Sequence, residues 1–283
     1  MRLLGVLPLA AIVFLQGCDL GIEDKKTSAP VAQVTSTELK ALFESFILIQ
    51  DQEMMLTNLA TQLQGVDTVS SVAGLLTNTS STGVCGGTSA LSADLTAVSG
   101  DFDNTLTLNS YCTDSLDWTG KLTQSGVVTA TGSDADNYEM VYGNYIYKVE
   151  SDDAFTVTLV GTMEKAVTAT ATTHYFNRIS AYKYPDNLTV EALKWLVATY
   201  DAGKIYTGSL VHPTYGTVAV TTVPSFPVTT TQDGPYQKPI SGKLKLTGLD
   251  SIGYITFNGL GSYTLDVDAD ADGIVDLTET LSW

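Results

Sequence analysis

The chain has 283 residues, of which 44% are hydrophobic and 16% charged, and its 31 acidic against 14 basic side chains give a formal net charge of −17. A surface with this charge repels phosphate backbones and anionic lipid headgroups, so we expect no nucleic-acid partner. The abundance of aliphatic residues, Thr and Tyr excludes a disordered tail. The length suits one large β domain or two small ones.

The first seventeen residues have the pattern of a secretory signal peptide. Arg2 is followed by an apolar run over residues 3–15, which is too short to span a bilayer as a permanent transmembrane helix. Leu15 lies three places before Cys18, and the small residue Gly17 directly precedes that cysteine. This stretch resembles the lipobox of bacterial lipoproteins, in which the chain is cut before the cysteine and both the thiol and the new N-terminus are acylated. The alternative is an ordinary cleaved signal peptide followed by a chance cysteine.

The resemblance implies a location in the bacterial cell envelope, facing the periplasm or the cell surface. We expect residues 1–17 to be removed and the membrane to be bound through lipid on Cys18, because each buried methylene contributes about 0.8 kcal/mol and two or three acyl chains anchor firmly. Asp19 resembles the signal that keeps enterobacterial lipoproteins in the inner membrane. Other bacteria use this position differently, so the sequence predicts neither the inner nor the outer membrane over the other.

A tether and a helix are predicted next. Residues 18–34 contain few large apolar side chains, which predicts a flexible tether. Thr35 followed by Glu38 is a capping-box pattern. Apolar residues then recur near helical spacing and predict a helix over about residues 36–64; they are Leu39, Leu42, Phe43, Phe46, Ile47, Ile49, Leu56, Leu59 and Leu63.

Strand patterns dominate from about residue 88 onward, with Thr, Val and Tyr in the segments and Gly, Asp and Asn between them. We predict eleven or twelve strands in a single β-rich domain over residues 35–283. The fold class is mainly β: a large antiparallel curved sheet or incomplete barrel, with the N-terminal helix packed on its concave side. The segments with strand-like patterns lie at residues 93–98, 105–111, 118–124, 127–131, 138–149, 155–160, 167–176, 204–211, 216–223, 242–249, 252–257, 262–267 and 275–283.

Three segments have weaker patterns. Residues 65–84 are rich in Gly, Ser and Thr and predict a connector with one helical turn. Residues 189–200 are ambiguous, because Leu193, Leu196 and Val197 suit a helix whereas the flanks suit strands. We favour the helix there, with a strand as the alternative. Residues 224–239 contain prolines and predict a loop.

Cys85 and Cys112 are the cysteines that remain once Cys18 carries lipid. Because these two cysteines have no other cysteine to pair with in an oxidising compartment, we predict a disulfide between them. Two buried thiols are the alternative. Their separation differs from the close spacing of a redox or zinc pair.

The most specific chemistry lies in residues 268–279, the acidic loop. Counted from the first aspartate, acids stand at places 1, 3, 5, 9 and 12 with Gly at place 6, which resembles the EF-hand calcium loop at every liganding place. Oxygen donors of this kind select a hard cation, and calcium tolerates irregular loops better than magnesium. The predicted ligands are Asp268, Asp270, Asp272, the carbonyl of Ile274, Asp276 through water, and Glu279.

The flanks of the acidic loop differ from those of an EF-hand. Residues 263–267 alternate as a strand does, and only four residues follow Glu279, so a β-hairpin connection is expected in place of the two helices. On a regular strand from Asp276, Glu279 would share a face with Leu277 and Leu281, which leaves its ligand role open. The alternative for the whole loop is a hydrated turn without an ion. A bound ion is expected to stabilise the hairpin and not to catalyse.

The end of the chain also resembles that of a group of proteobacterial lipoproteins. Their pattern is a Ser-Gly-led strand, a strand running into Asp-x-Asp-x-Asp-Gly and a closing Ser-Trp, which residues 239–248, 263–273 and 281–283 match. Residues 85–88 and 109–112 are similar to their cysteine pair. No activity is known for that group, so the resemblance implies no activity for this chain.

Enzymatic motifs are weak. The only histidines, His174 and His212, lie in strand-like contexts and are expected to be structural. A Ser-x-x-Lys match at Ser180 and Lys183 lacks companion motifs, and no Gly-x-Ser-x-Gly elbow occurs. We therefore expect a non-enzymatic binding or structural protein whose partner is an envelope protein or polymer. The alternative is a periplasmic carrier of a hydrophobic ligand in the concave sheet, which an open apolar cavity beside the helix would favour.

Overall fold

The computed structural model describes residues 34–64, 76–94, 102–114, 121–134, 136–150, 155–184, 187–233, 236–259 and 261–282. The predicted signal peptide, the lipidated Cys18 and the tether before Val34 lie outside the described residues, as does Trp283. The lipid anchor therefore stays a prediction.

The fold is mainly β, as predicted: one large antiparallel sheet, curved and unclosed, with one N-terminal helix in the described ranges. The helix is α1 (Ser36–Gln64). The fifteen strands are β1 (Leu76–Thr82), β2 (Thr88–Asp94), β3 (Phe102–Asp114), β4 (Lys121–Asp134), β5 (Asn137–Glu150), β6 (Phe155–Val167), β7 (Thr172–Tyr184), β8 (Leu188–Tyr200), β9 (Gly203–His212), β10 (Gly216–Thr222), β11 (Thr229–Asp233), β12 (Tyr236–Thr247), β13 (Ile252–Asn258), β14 (Ser262–Asp268) and β15 (Leu277–Ser282).

Strands that follow one another in the chain are neighbours in the sheet from β1 to β10, and the order then continues with β12, β13, β14 and β15. β11 lies off this order and pairs with β12. The predicted count of eleven or twelve strands is too low. β1 and β11, which fall in the predicted connector and the predicted proline loop, are built largely from Thr, Ser, Asn and Gln and lack the apolar alternation that indicates a strand.

Residues 189–200 lie in β8, so the helix that we favoured there is wrong. Buried side chains alternate along β8 up to Ala192 and resume at Trp195 with the opposite parity. Between them, Lys194 has φ of 49°, and the pairing with β9 shifts register. This β-bulge disrupts the strict alternation of apolar positions, which is why their spacing suited a helix.

The helix α1 covers the predicted range and begins with the predicted cap, because the N–H of Thr35 donates to Oε2 of Glu38 at 2.8 Å. It contacts strands from β3 to β14, which places it on the inside of the curved sheet. Its apolar stripe is buried there: the ring of Phe43 stacks on Tyr263 at 4.0 Å between centroids, and Phe46 meets Tyr206 edge-on at 5.2 Å. The helix and the concave face therefore form one hydrophobic core.

Candidate metal centre

The acidic loop connects β14 to β15 as a hairpin. Val267 pairs with Leu277, and the N–H of Asp276 donates to the carbonyl of Val267 at 2.8 Å. The strand pattern before the loop is therefore continued by a second strand after it, as the flanking sequence predicts.

Three of the six predicted ligands are brought together. One carboxylate oxygen from each of Asp268, Asp270 and Asp276 lies within 4.8 Å of the others, and this cluster could hold a metal ion. Asp268 is buried, whereas Asp270 and Asp276 are exposed. Carboxylate oxygens suit hard cations, so the donor set fits the predicted kind of ion.

The backbone of the loop holds these carboxylates in place. The two oxygens of Asp268 accept the N–H groups of Asp272 at 3.1 Å and Gly273 at 3.0 Å, and Oδ2 of Asp276 accepts the N–H of Ala269 at 2.8 Å. Gly273 has φ of 92°, a conformation that side chains with a Cβ rarely adopt. The backbone dipoles offset part of the repulsion between the carboxylates and pre-arrange the cluster.

Two of the other predicted ligands, Asp272 and Glu279, are not part of this cluster. Asp272 is outside the three-aspartate cluster, and its Oδ1 accepts the N–H of Ile274 at 2.7 Å. Glu279 is an exposed residue of β15 opposite Leu265, because the strand has already begun at Leu277. The carbonyl of Ile274 stays a prediction.

The cysteine pair lies at the other end of the sheet order. Cys85, in the turn between β1 and β2, is joined to Cys112 of β3, with the Cα atoms 5.1 Å apart. The N–H of Cys112 also donates to the carbonyl of Gly86 at 3.0 Å. The geometry supports the predicted disulfide, which ties the first turn to the third strand.

Sequence reasoning missed a buried polar contact between α1 and the sheet. Nζ of Lys204 lies 3.1 Å from Oε1 of Glu53, and Oε1 of Gln52 accepts the hydroxyl of Tyr147 at 2.8 Å. Burial, and then the charge of Glu53, raises the pKa of Tyr206 far above its ordinary value. The only sequence signal is the polar stretch at residues 50–53, which interrupts the apolar stripe without indicating its partners.

The histidines occupy structural settings. Nδ1 of His212 accepts the N–H groups of Thr214 and Tyr215 at 3.1 and 3.2 Å and so supports the turn between β9 and β10. His174 is buried, and burial together with the nearby Lys165 and Lys204 lowers its pKa to about 4. The imidazole of His174 is therefore neutral at pH 7.

The Ser-x-x-Lys match also has a structural explanation. Ser180 and Lys183 lie in β7, where an odd spacing places two side chains on opposite faces. Oγ of Ser180 donates instead to Oε1 of Glu191 at 3.2 Å. The two residues therefore do not form the nucleophile and base pair that the motif would require.

Among the described residues, no helix combines the length and the apolar character that crossing a membrane requires. Comparison of the chain with known family models, with curated proteins and with solved structures gave no match.

Proposed function

We propose that the protein is a non-enzymatic lipoprotein of the bacterial cell envelope, anchored through Cys18, whose β domain binds an envelope protein or polymer or has a structural role. Calcium stabilises its last hairpin. The observation that carries the calcium proposal is the convergence of Asp268, Asp270 and Asp276. The lipobox pattern before Cys18 supports the anchor.

Calcium is the proposed ion because the donors are all oxygens and the loop is irregular. Three carboxylates leave coordination places for water or for the carbonyl of Ile274. An affinity of about 0.1–1 mM is typical of extracellular calcium modules. The ion would neutralise the charge at the turn and hold β15 against β14, since Asp268 ends one strand and Asp276 directly precedes the other.

The filling of the concave face supports a binding or structural role over the carrier alternative. Leu39, Phe43 and Phe46 of α1 are buried against the sheet in the space that a hydrophobic ligand would need. A carrier would require α1 to move and these side chains to become exposed, at a cost of roughly 1.5–3 kcal/mol for each.

The proposal is tested by the melting temperature of the chain from residue 18 with Cys18→Ser, in EDTA and in about 1 mM calcium. With an affinity near 0.1 mM, we expect a stabilisation of about 1.4 kcal/mol, or a rise in Tm of roughly 3–5 °C. The variant with Asp270→Asn and Asp276→Asn should lose this rise. Asp250→Asn, in the neighbouring turn, is the matched control and should keep it.

Two outcomes would contradict the calcium proposal. If the Tm of the unsubstituted chain is the same in EDTA and calcium, the loop is an acidic turn without a calcium site at that concentration. If the double variant keeps the full rise, the ion binds elsewhere. Asp272→Asn adds a further comparison, because an EF-hand-like set needs its carboxylate whereas the three-aspartate cluster does not.

A further inference from the structure

Four large apolar side chains are exposed in two neighbouring turns of the sheet and at the start of β15. Leu249, between β12 and β13, is 57% exposed; Ile274 and Val275, between β14 and β15, are 67% and 45% exposed, and Leu277, the first residue of β15, is 45% exposed. The turns lie side by side because β13 pairs with β14. Single exposed apolar residues are ordinary, but a group in adjacent turns indicates a contact surface. We call these four residues the end patch.

The N-terminal segment enters the fold beside the end patch. The N–H of Val34 donates to Oγ of Ser251 at 2.8 Å, and a Cβ at Gly253 would lie 2.7 Å from Cγ1 of Val34. Gly253 pairs with Val267, which in turn pairs with Leu277. Because neighbouring strands are about 4.8 Å apart, Gly253, which Val34 contacts, lies roughly 10 Å from the start of β15.

The number of residues between Cys18 and Val34 limits how far the end patch can lie from a lipid anchor on Cys18. Residues 19–33 separate Cys18 from Val34. The flexible tether that the sequence predicts there would span about 20 Å on average. A lipid on Cys18 would therefore keep the end patch close to the bilayer surface and raise its effective concentration there.

The charge next to the end patch decides when contact is favourable. Asp270, Asp272 and Asp276 are exposed in the same loop, and Asp250 is exposed beside Leu249. These carboxylates repel an anionic headgroup surface. A cation bound in the loop reduces that repulsion and can itself be approached by a lipid phosphate.

We propose that the end patch is a second, non-covalent membrane contact, in which Ile274 and Val275 enter the headgroup region of a phospholipid bilayer when a cation occupies the acidic loop. This inference rests on the proposed anchor at Cys18 and the proposed cation site. It goes beyond them because acyl chains on Cys18 would anchor the chain without any contact between the β domain and the bilayer.

The test uses the chain from residue 18, coupled through the thiol of Cys18 to a maleimide lipid in vesicles of phosphatidylethanolamine and phosphatidylglycerol. The reference is the same chain in solution with Cys18 blocked by N-ethylmaleimide. Hydrogen exchange of the amides in residues 269–277 is measured by mass spectrometry in calcium and in EDTA. We expect severalfold slower exchange on vesicles in calcium, and no slowing on vesicles in EDTA.

A pair of variants separates membrane contact from cation binding. Ile274→Ser with Val275→Ser should abolish the slowing on vesicles while the rise in Tm with calcium remains. Phe226→Ser removes an apolar side chain whose exposure, 56%, lies between those of Ile274 and Val275, from a different loop and should keep the slowing.

Equal exchange on vesicles and in solution would overturn the inference, as would slowing that persists in the double-serine variant or in EDTA. Failure of the proposed function is seen separately. A missing calcium site shows as no rise in Tm, and a missing anchor shows as an unmodified Cys18 in the mass spectrum of the native protein.

Discussion

Glu53 on α1 and Lys204 on β9 form an ion pair that joins the helix to the sheet across 151 residues of sequence. The two charged atoms lie 3.1 Å apart, and the side chains are only 4% and 18% exposed. A pair with so little solvent access is screened weakly, and either partner alone would be a buried, uncompensated charge. The contact therefore favours one position of α1 along the concave face.

Removing one member of this pair should cost more than removing both. Lys204→Met leaves the carboxylate of Glu53 buried without compensation, and we expect a loss of about 3 kcal/mol in the free energy of unfolding. Adding Glu53→Gln should recover part of that loss. Urea denaturation measures both, and Lys243→Met, at the more exposed pair with Asp266, should cost no more than about 1 kcal/mol. Equal losses at the two lysines would show that the buried pair has no special role.

His174 should make the fold sensitive to acid. Its pKa is lowered from 6.5 to about 4, first by burial and then by Lys165 and Lys204. The unfolded chain therefore binds a proton between pH 6.5 and 4 that the folded chain does not, so stability falls as the pH falls through this window. His174→Phe should flatten the plot of unfolding free energy against pH there. An unchanged slope would mean that His174 titrates normally in the folded protein.

Asp51 should contribute a slope of the opposite sign. Burial raises its pKa to about 7 against the smaller, opposing effects of Lys183 and Lys238, and its Oδ1 has no hydrogen-bond partner among the described residues. The folded chain then holds a proton between pH 4 and 7 that the unfolded chain releases, so stability falls as the pH rises. Asp51→Asn should be more stabilising at pH 8 than at pH 5, measured by denaturation at both. A difference that does not change with pH would refute the raised pKa.

Gly253 should be intolerant of a side chain. A Cβ there would lie 2.7 Å from Val34 and 2.8 Å from Leu39, so Gly253→Ala should overpack the contact between α1 and β13 and cost about 1–3 kcal/mol. Gly143→Ala is the matched control, because it lies in β5 with no atom within 4 Å of the added carbon. Thermal unfolding of the two variants makes the comparison. Similar Tm values would show that α1 can shift to accept the methyl group.

The candidate metal centre was predictable in location but not in composition. The spacing of acids from Asp268 identified the loop, since it is a local property of the sequence. The same spacing also predicted Asp272 and Glu279, which the structure leaves outside the cluster. Which carboxylates converge depends on where β15 begins. Because Leu277 already pairs with Val267, Glu279 lies further along β15, opposite Leu265 and away from the loop.

The sequence by itself determined the range of α1 and the class of the fold. The cap at Thr35 and Glu38, the helical spacing of apolar residues and the short turns between strands are local signals, and each acts within a few residues. Only the tertiary structure decided that β8 is a strand despite the bulge at Lys194, because pairing with β7 and β9 outweighs its ambiguous local preference. It alone also joined Glu53 to Lys204, since a contact between residues so far apart leaves no periodic signal in either segment.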